Sequence, residues 1–426
     1  MPARFPALIL AVLLLLLHRE GHAAPPARLS VRHAGAAPRK TGDPVAFEVS
    51  LKPYPADLPP PACIWRISAN GAPPAASGAL TLHAGSARFS TQLPEPGFLT
   101  VTVELPGSAS VSLTVPSGWQ QIQPLTSAPQ DLEGFWRDQK TKLAGIRSDP
   151  LLQEVSSPDP EVVCYDLQAG APDAPVSAYL ARPREAARGS LPGLLVIPDA
   201  RVASANLEKA VGFAKQGVLV LFFNFHGVAN GQAPDFYKAL EQGPLRTPFL
   251  ENPEQALANL YLRAVRAVDL LCAREEWNHR TLAVSGLRQG GAMALAAAAL
   301  DPRVSYVSAA APALCDIGRA LTLDSAPWPG LRPALPPGLS ADLQAASVLR
   351  VDCAHLAPLI RVPGCISVGL EDGRGVPAGI AAACNRFGVT PKVVLDDSVG
   401  GEPSPGTLEA LDRALRAHLA GKQAGK

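Results

Sequence analysis

The chain carries almost no net charge: 38 lysines and arginines stand against 37 aspartates and glutamates in 426 residues. Without an excess of one sign there is no global field to hold a polyanion, so nucleic acid is excluded as an expected partner. Cysteine is sparse and nowhere has metal-ligand spacing. The seven, at 63, 164, 272, 315, 353, 365 and 384, are odd in number and read mostly as small buried hydrophobes. No metal or cofactor is expected. After the first two dozen residues no apolar run reads as a membrane span, for which about 20 residues are needed, and no internal repeat is visible. Proline, by contrast, is plentiful at 44 residues, about twice the usual ~5%. With apolar content also high, it predicts rigid loops rather than disorder.

The length suits two domains at roughly 100–200 residues each. Residues 1–23 place Arg4 before an apolar run from Ala7 to Leu17 and end in Gly21, His22 and Ala23. That is the pattern of a signal peptide, cleaved near Ala23 or Ala24, and the run is too short to be a comfortable membrane anchor. The expected location is therefore secreted or periplasmic, with no stable membrane insertion after cleavage. Residues 24–116 show period-two apolar stretches, including Val45 to Leu51, Ile64 to Ser68, Ala87 to Leu93 and Phe98 to Leu105, broken by Pro, Gly and Asn. They predict a small all-β sandwich, immunoglobulin- or fibronectin-like. Cys63 has no second cysteine in this segment, which excludes the immunoglobulin disulfide, and Trp65 is expected in the core.

A linker at 117–130 leads into a third region, 131–421, where strands and helices alternate in the βαβ manner. A helix is expected over Asp131 to Ile146, a buried strand at Leu194 to Ile197, a helix from Ala205 to Lys215 and a strand from Val218 to Asn224. The helix from Gln255 to Cys272 presents Leu257, Leu260, Tyr261, Ala264, Val265, Val268 and Leu271 on one face, leaving Arg263, Arg266 and Asp269 off it. Later strands are expected at Ser305 to Ala311, Gly364 to Leu370 and Lys392 to Leu395, with a closing helix from Pro405 to Ala420. Leu331 to Pro337 is a proline-rich insertion.

The most informative stretch is Thr281 to Leu300. A short apolar strand meets a turn flanked by Gly286, Gly290 and Gly291, followed by a helix of small residues. This is the layout of a nucleophile elbow, in which a strained turn thrusts one side chain above the sheet. The fold it implies is an α/β-hydrolase: a mostly parallel sheet with helices on both faces, here preceded by the β-sandwich. The apex should be the serine of Gly-x-Ser-x-Gly, yet it is Arg288, which has no nucleophilic oxygen and stays protonated.

These residues resemble the acetyl xylan esterase and cephalosporin C deacetylase family, over about Asp131 to Leu419. The resemblance rests on Phe135 and Trp136, on the helix LRAVRAVDLL, on the elbow GLRQGGAMALAAAALDPRV, on Pro312 to Asp316 (PALCD) and on Ser367 to Pro377 (SVGLEDGRGVP). The stretch Asn224 to Leu240 is similar to a secreted bacterial subgroup that carries an extra β-domain.

That resemblance implies removal of acetyl groups by a serine, an aspartate and a histidine, which attack, orient and accept the proton respectively. It places the retained acid at Asp372, Arg288 in place of the nucleophile, and Gly401 in place of the base, with Gly400 and Glu402 aligned to the Gly-His-Glu pattern. Backbone N–H groups of Gln289 and Ala200 are the expected oxyanion donors, although Pro198 and Asp199 replace the family's His-Gly. Asn224, His226, Gly286 and Gly290 are expected to line the pocket.

Ser285 falls three residues before the apex and reads as structural; His226 reads as loop-structuring, and His355 and His418 as core or surface. Arg288 admits two readings: its guanidinium closes the old pocket against Asp372, or it extends into solvent. For the whole chain three readings stay open. One is a catalytically degenerate pseudoenzyme, one a residual carboxylic-ester hydrolase with a non-standard nucleophile, and one an extracellular carbohydrate- or protein-binding module. The expected partner is a carbohydrate or an acetylated small molecule, and an oligomer is open.

Overall fold

Seven strands form the N-terminal region: β1 (Arg28–His33), β2 (Pro44–Lys52), β3 (Ala62–Ala69), β4 (Ala76–Thr81), β5 (Ser86–Gln92), β6 (Gly97–Glu104) and β7 (Ser110–Ser117). The computed structural model describes residues 27–33, 40–55, 59–107, 110–241, 251–323, 346–371, 376–399 and 402–421. β1-β2-β5 make one sheet and β4-β3-β6-β7 the other. Alternate residues Val45, Phe47, Val49 and Leu51 of β2 meet Val101 and Val103 of β6 between them, the period-two burial that drives two sheets together. Trp65 is half-buried, stacked on Phe89 at 5.7 Å, and lies over Gly78, where a Cβ would strike its ring.

The rest of the chain builds a nine-stranded sheet. In chain order its elements are α1 (Leu132–Gly145), β8 (Leu151–Val155), β9 (Val162–Ala169), β10 (Val176–Pro183), β11 (Leu191–Ile197), α2 (Leu207–Ala214), β12 (Leu219–Phe223), α3 (Pro234–Glu241), α4 (Pro253–Cys272), β13 (Trp277–Leu287), α5 (Gln289–Leu300), β14 (Tyr306–Ala310), α6 (Ile317–Leu321), α7 (Cys353–Leu356), β15 (Gly364–Glu371), α8 (Pro377–Cys384), β16 (Lys392–Val399) and α9 (Pro405–Leu419). The strand order is β16-β15-β14-β13-β11-β12-β10-β9-β8. β12, β11, β13, β14, β15 and β16 run parallel, and β10, β9 and β8 extend the sheet antiparallel. α1, α4, α5 and α8 share one apolar core on one face, while α2 and α9 cover the other. Helix starts are well made: Asn206, Asn252 and Ser404 each accept a backbone N–H of the first turn, which relieves donors that have no partner within the helix.

Two features depart from the sequence reading. β1 and β8 are strands that polar, exposed patterns hid, both at sheet edges. Arg263 and Arg266, placed off the buried face of α4, are in fact buried. Arg266 donates to the carbonyls of Leu143 and Ile146 at the end of α1. The insertion Leu331 to Pro337 lies outside the described residues.

The segment 117–130 is pinned rather than loose. Asn385 donates to the carbonyls of Trp119 and Ile122, and Leu125 N–H donates to the Asp316 carboxylate at 3.0 Å. Phe98, at the start of β6, is buried with the core of the nine-stranded sheet rather than with its own sandwich. Asn70 fixes it there: its backbone N–H donates to Phe98 C=O and its side-chain amide oxygen accepts Phe98 N–H, both at 2.9 Å, and Gly97 leaves room for that amide. Phe98→Ala is therefore expected to lower the stability of the nine-stranded domain by about 3–5 kcal/mol. Urea denaturation followed by the signal of the C-terminal domain measures this; an unchanged midpoint would separate Phe98 from that core.

Candidate functional site

Parallel strands present their C-terminal ends on one side, and a crevice opens where successive crossovers go opposite ways. Here that point lies between β11, whose chain continues to β12 on one flank, and β13 on the other. Ile197 of β11 is in register with Gly286 of β13, so two residues on, Asp199 stands beside Arg288.

Arg288 has φ 51° and ψ −111°, a left-handed backbone strained for a side chain. Three hydrogen bonds hold it: its N–H donates to Ala310 C=O at 2.9 Å, and its C=O accepts from Ala292 N–H at 3.0 Å and Ala313 N–H at 2.9 Å. Gly286 and Gly290 make the turn possible. A Cβ at 286 would meet the Gly290 carbonyl at 2.1 Å, and one at 290 the Pro198 carbonyl at 2.2 Å. α5 starts immediately at Gln289, whose N–H, like all in a first helical turn, lacks an intrahelical partner.

The Arg288 side chain does not extend into solvent; the residue is only 6% exposed. Its Nε lies 3.7 Å from Asp199 Oδ2 and an Nη lies 3.7 Å from Glu402 Oε1. Asp372 and Gly401 lie outside the described residues. Ala200 N–H donates to Asp199 Oδ1 at 2.8 Å, so one expected oxyanion donor is already engaged.

His226 follows β12 and stands across the crevice. Its Nε2 lies 3.3 Å from the Ala200 carbonyl, and since a carbonyl only accepts, that nitrogen carries the proton. Burial, with help from the Arg263 cation, holds the imidazole below its ordinary basicity. Its loop rests on a buried polar frame. Asn224 accepts His226 N–H and donates to Ala203 C=O, Val228 C=O and Asn230, which in turn donates to Asp166 and Ser177. Arg263 donates to the carbonyls of Phe225, Asn224 and Pro175, and burial pushes its pKa down to about 10. Helical periodicity assigns Arg263 to the polar face; it is buried where it donates to carbonyls of two segments, Pro175 before β10 and Asn224 and Phe225 after β12.

Ser285 sits within β13, paired with Val196 and Ser308, on the strand face of Ala283 and Leu287 and therefore toward α2 and α9. It does not reach the apex. His418 bonds Ser305 at 2.9 Å and stacks on Tyr306. His355 is buried behind the elbow helix, its Nε2 3.2 Å from Thr126 Oγ1. Among the described residues no group of three His, Cys, Asp or Glu is arranged to hold a metal.

The strained elbow, the engaged β11 turn and the parallel sheet together define an α/β-hydrolase scaffold. Residues 117–408 match the family model described as Acetyl xylan esterase (AXE1). The chain belongs to the acetyl xylan esterase family. It is 28% identical over 292 residues to an acetyl esterase of Xylanibacter ruminicola, a match covering 65% of this chain and 65% of that protein; the chain thus spans just under two thirds of that relative. Two solved structures share the fold. An acetyl xylan esterase from Paenibacillus sp. R4 has a TM-score of 0.60 at 23% identity, covering 71% of this chain and 98% of the other. Acetyl xylan esterase 1 from Thermoanaerobacterium sp. JW/SL YS485 has a TM-score of 0.59 at 21% identity, covering 71% and 97%.

Behind the elbow two buried groups, Asp352 and His355, are shifted in opposite senses. Asp352 accepts N–H bonds from Asp316, Ile317 and Ala354, yet burial and the neighbouring Asp316 push its pKa up to about 7. Burial and the Arg386 cation push His355 down to about 4. Between pH 6.5 and 4 the unfolded chain binds a proton at the histidine that the native one refuses, so acid destabilises. Between pH 7 and 3.8 the native chain binds a proton at Asp352 that the unfolded one does not, so acid stabilises. Each effect is on the order of 3 kcal/mol and they largely cancel. Relative to wild type, Asp352→Asn is expected to lose stability from pH 7 to 4.5, and His355→Gln to gain it. Urea midpoints across that range check both; curves parallel to wild type would contradict the two shifts.

Proposed function

We propose that this chain is an exported, catalytically degenerate member of the acetyl xylan esterase family that binds rather than cleaves, with carbohydrate as its ligand class. The observation that carries the reading is Arg288 at the elbow apex, buried between Asp199 and Glu402. A guanidinium cannot attack an acyl carbon, and at this apex it fills the space where a hydroxyl and its base would meet. The sequence adds Gly401 at the base position. Export rests on Arg4 and the Ala7 to Leu17 run; among the described residues no helix is long and apolar enough to cross a membrane. The family description and the names of the solved structures, acetyl xylan esterases, suggest the ligand class, a xylan-type saccharide.

Residual hydrolysis through another serine is the competing reading, and the placement of Ser285 on the strand face of Ala283 and Leu287, three residues before the apex, disfavours it.

Wild-type protein is expected to release no p-nitrophenol from p-nitrophenyl acetate and no acetate from acetylated xylan above the uncatalysed rate. Turnover that Ser285→Ala abolishes would overturn the reading. Arg288→Ser combined with Gly401→His is expected to bring back measurable ester cleavage, because the elbow backbone that such a serine needs is already in place. Binding of the full chain to an array of xylan-type glycans tests the ligand class.

A further inference from the structure

The turn after β11 brings an anion of its own into the crevice, the Asp199 carboxylate. Asp199 Oδ1 accepts the Ala200 N–H at 2.8 Å, and Oδ2 faces Arg288 Nε at 3.7 Å. A backbone N–H carries one hydrogen, so while a carboxylate holds it the same donor cannot polarise a substrate carbonyl. The turn is also fixed from both sides. Gly290 rests against the carbonyls of Ile197 and Pro198, so closely that even a Cβ would not fit. On the other side His226 bonds the Ala200 carbonyl. Asp199 thus sits at the join of elbow and turn, with one oxygen on the donor and the other toward the cation.

We infer that Asp199 is a built-in occupant of the acyl corner: its carboxylate takes the donor that an ester's oxyanion would use, and so keeps acetyl groups and free acetate out. The inference rests on the reading of this crevice as the family's former catalytic site. It narrows the ligand to a saccharide whose acetyl group, if any, is not seated at the elbow. Removing the carboxylate releases the Ala200 N–H and takes one negative charge from the Nε side of Arg288, while Glu402 stays beside an Nη; an acetate-sized anion then takes the vacated place between that Nε and the backbone donor.

The probe is acetate itself, titrated against the full chain by calorimetry and by chemical-shift change. Wild type is expected to show no saturable binding, and Asp199→Gly to bind acetate in a manner that a further Arg288→Gln abolishes. Saturable binding by wild type equal to that of the variant, or a folded Asp199→Gly that binds none, overturns the role of Asp199; the wild-type arm needs no variant to fold. Asp199→Ala replaces the glycine variant should the latter unfold. In the Arg288→Ser, Gly401→His background, adding Asp199→Gly is expected to raise kcat/KM for p-nitrophenyl acetate by about tenfold or more, since one oxyanion donor is commonly worth about 10²–10³ in kcat. No rise overturns the inference. Ester turnover by wild type would instead sink the functional reading alone, while acetate binding by an inert wild type would sink only this one.

Discussion

The strained peptide at Arg288 is the constraint on which the site depends. A side chain at φ 51° is costly, and it persists because Ala310, Ala292 and Ala313 hold both its N–H and its C=O. Those contacts exist only because β13, β14 and α5 meet at that point and because Gly286 and Gly290 admit backbone where a Cβ would collide. The turn has the geometry of an elbow that displays a nucleophile, and the residue it displays here is an arginine. It fixes the position of that cation and denies it the freedom of an ordinary surface arginine.

A buried cation needs company, and the crevice provides it from two directions. Asp199 comes from the neighbouring strand end and Glu402 from beyond β16. At 3.7 Å neither contact has the geometry of a bidentate fork, so the pairing is electrostatic more than directional. The surroundings are rigid. Asn224, Asn230, Ser177 and Asp166 bind the β12 loop to β9 and β10, and Arg263 closes it from beneath. Such a frame keeps its shape whether or not chemistry takes place above it.

Much of this was legible in the chain itself. Glycines at 286, 290 and 291 after an apolar strand identify the elbow because no other residue fits there, and alternation or helical spacing marks most strands and helices. The edge strands β1 and β8 were hidden because they are short and mostly exposed, so neither shows a clear alternation of buried apolar and exposed polar residues. Arg263 and Arg266 were misplaced for a different reason: periodicity sorts residues by hydrophobicity, whereas these two are buried by carbonyls that the chain supplies from distant loops. Asp199 showed in the sequence only as a departure from the family pattern. Its role needs the register of β11 against β13, a non-local fact that spacing along the chain does not contain.

Phe98 gives the N-terminal sandwich a meaning beyond decoration. One of its rings is planted in the neighbouring domain's interior, held by Asn70 through a glycine-cleared approach. A protease that trims the sandwich away would leave a ring-sized void under α8, with apolar walls exposed to water. The stability of the C-terminal unit therefore depends in part on a ring that the sandwich supplies.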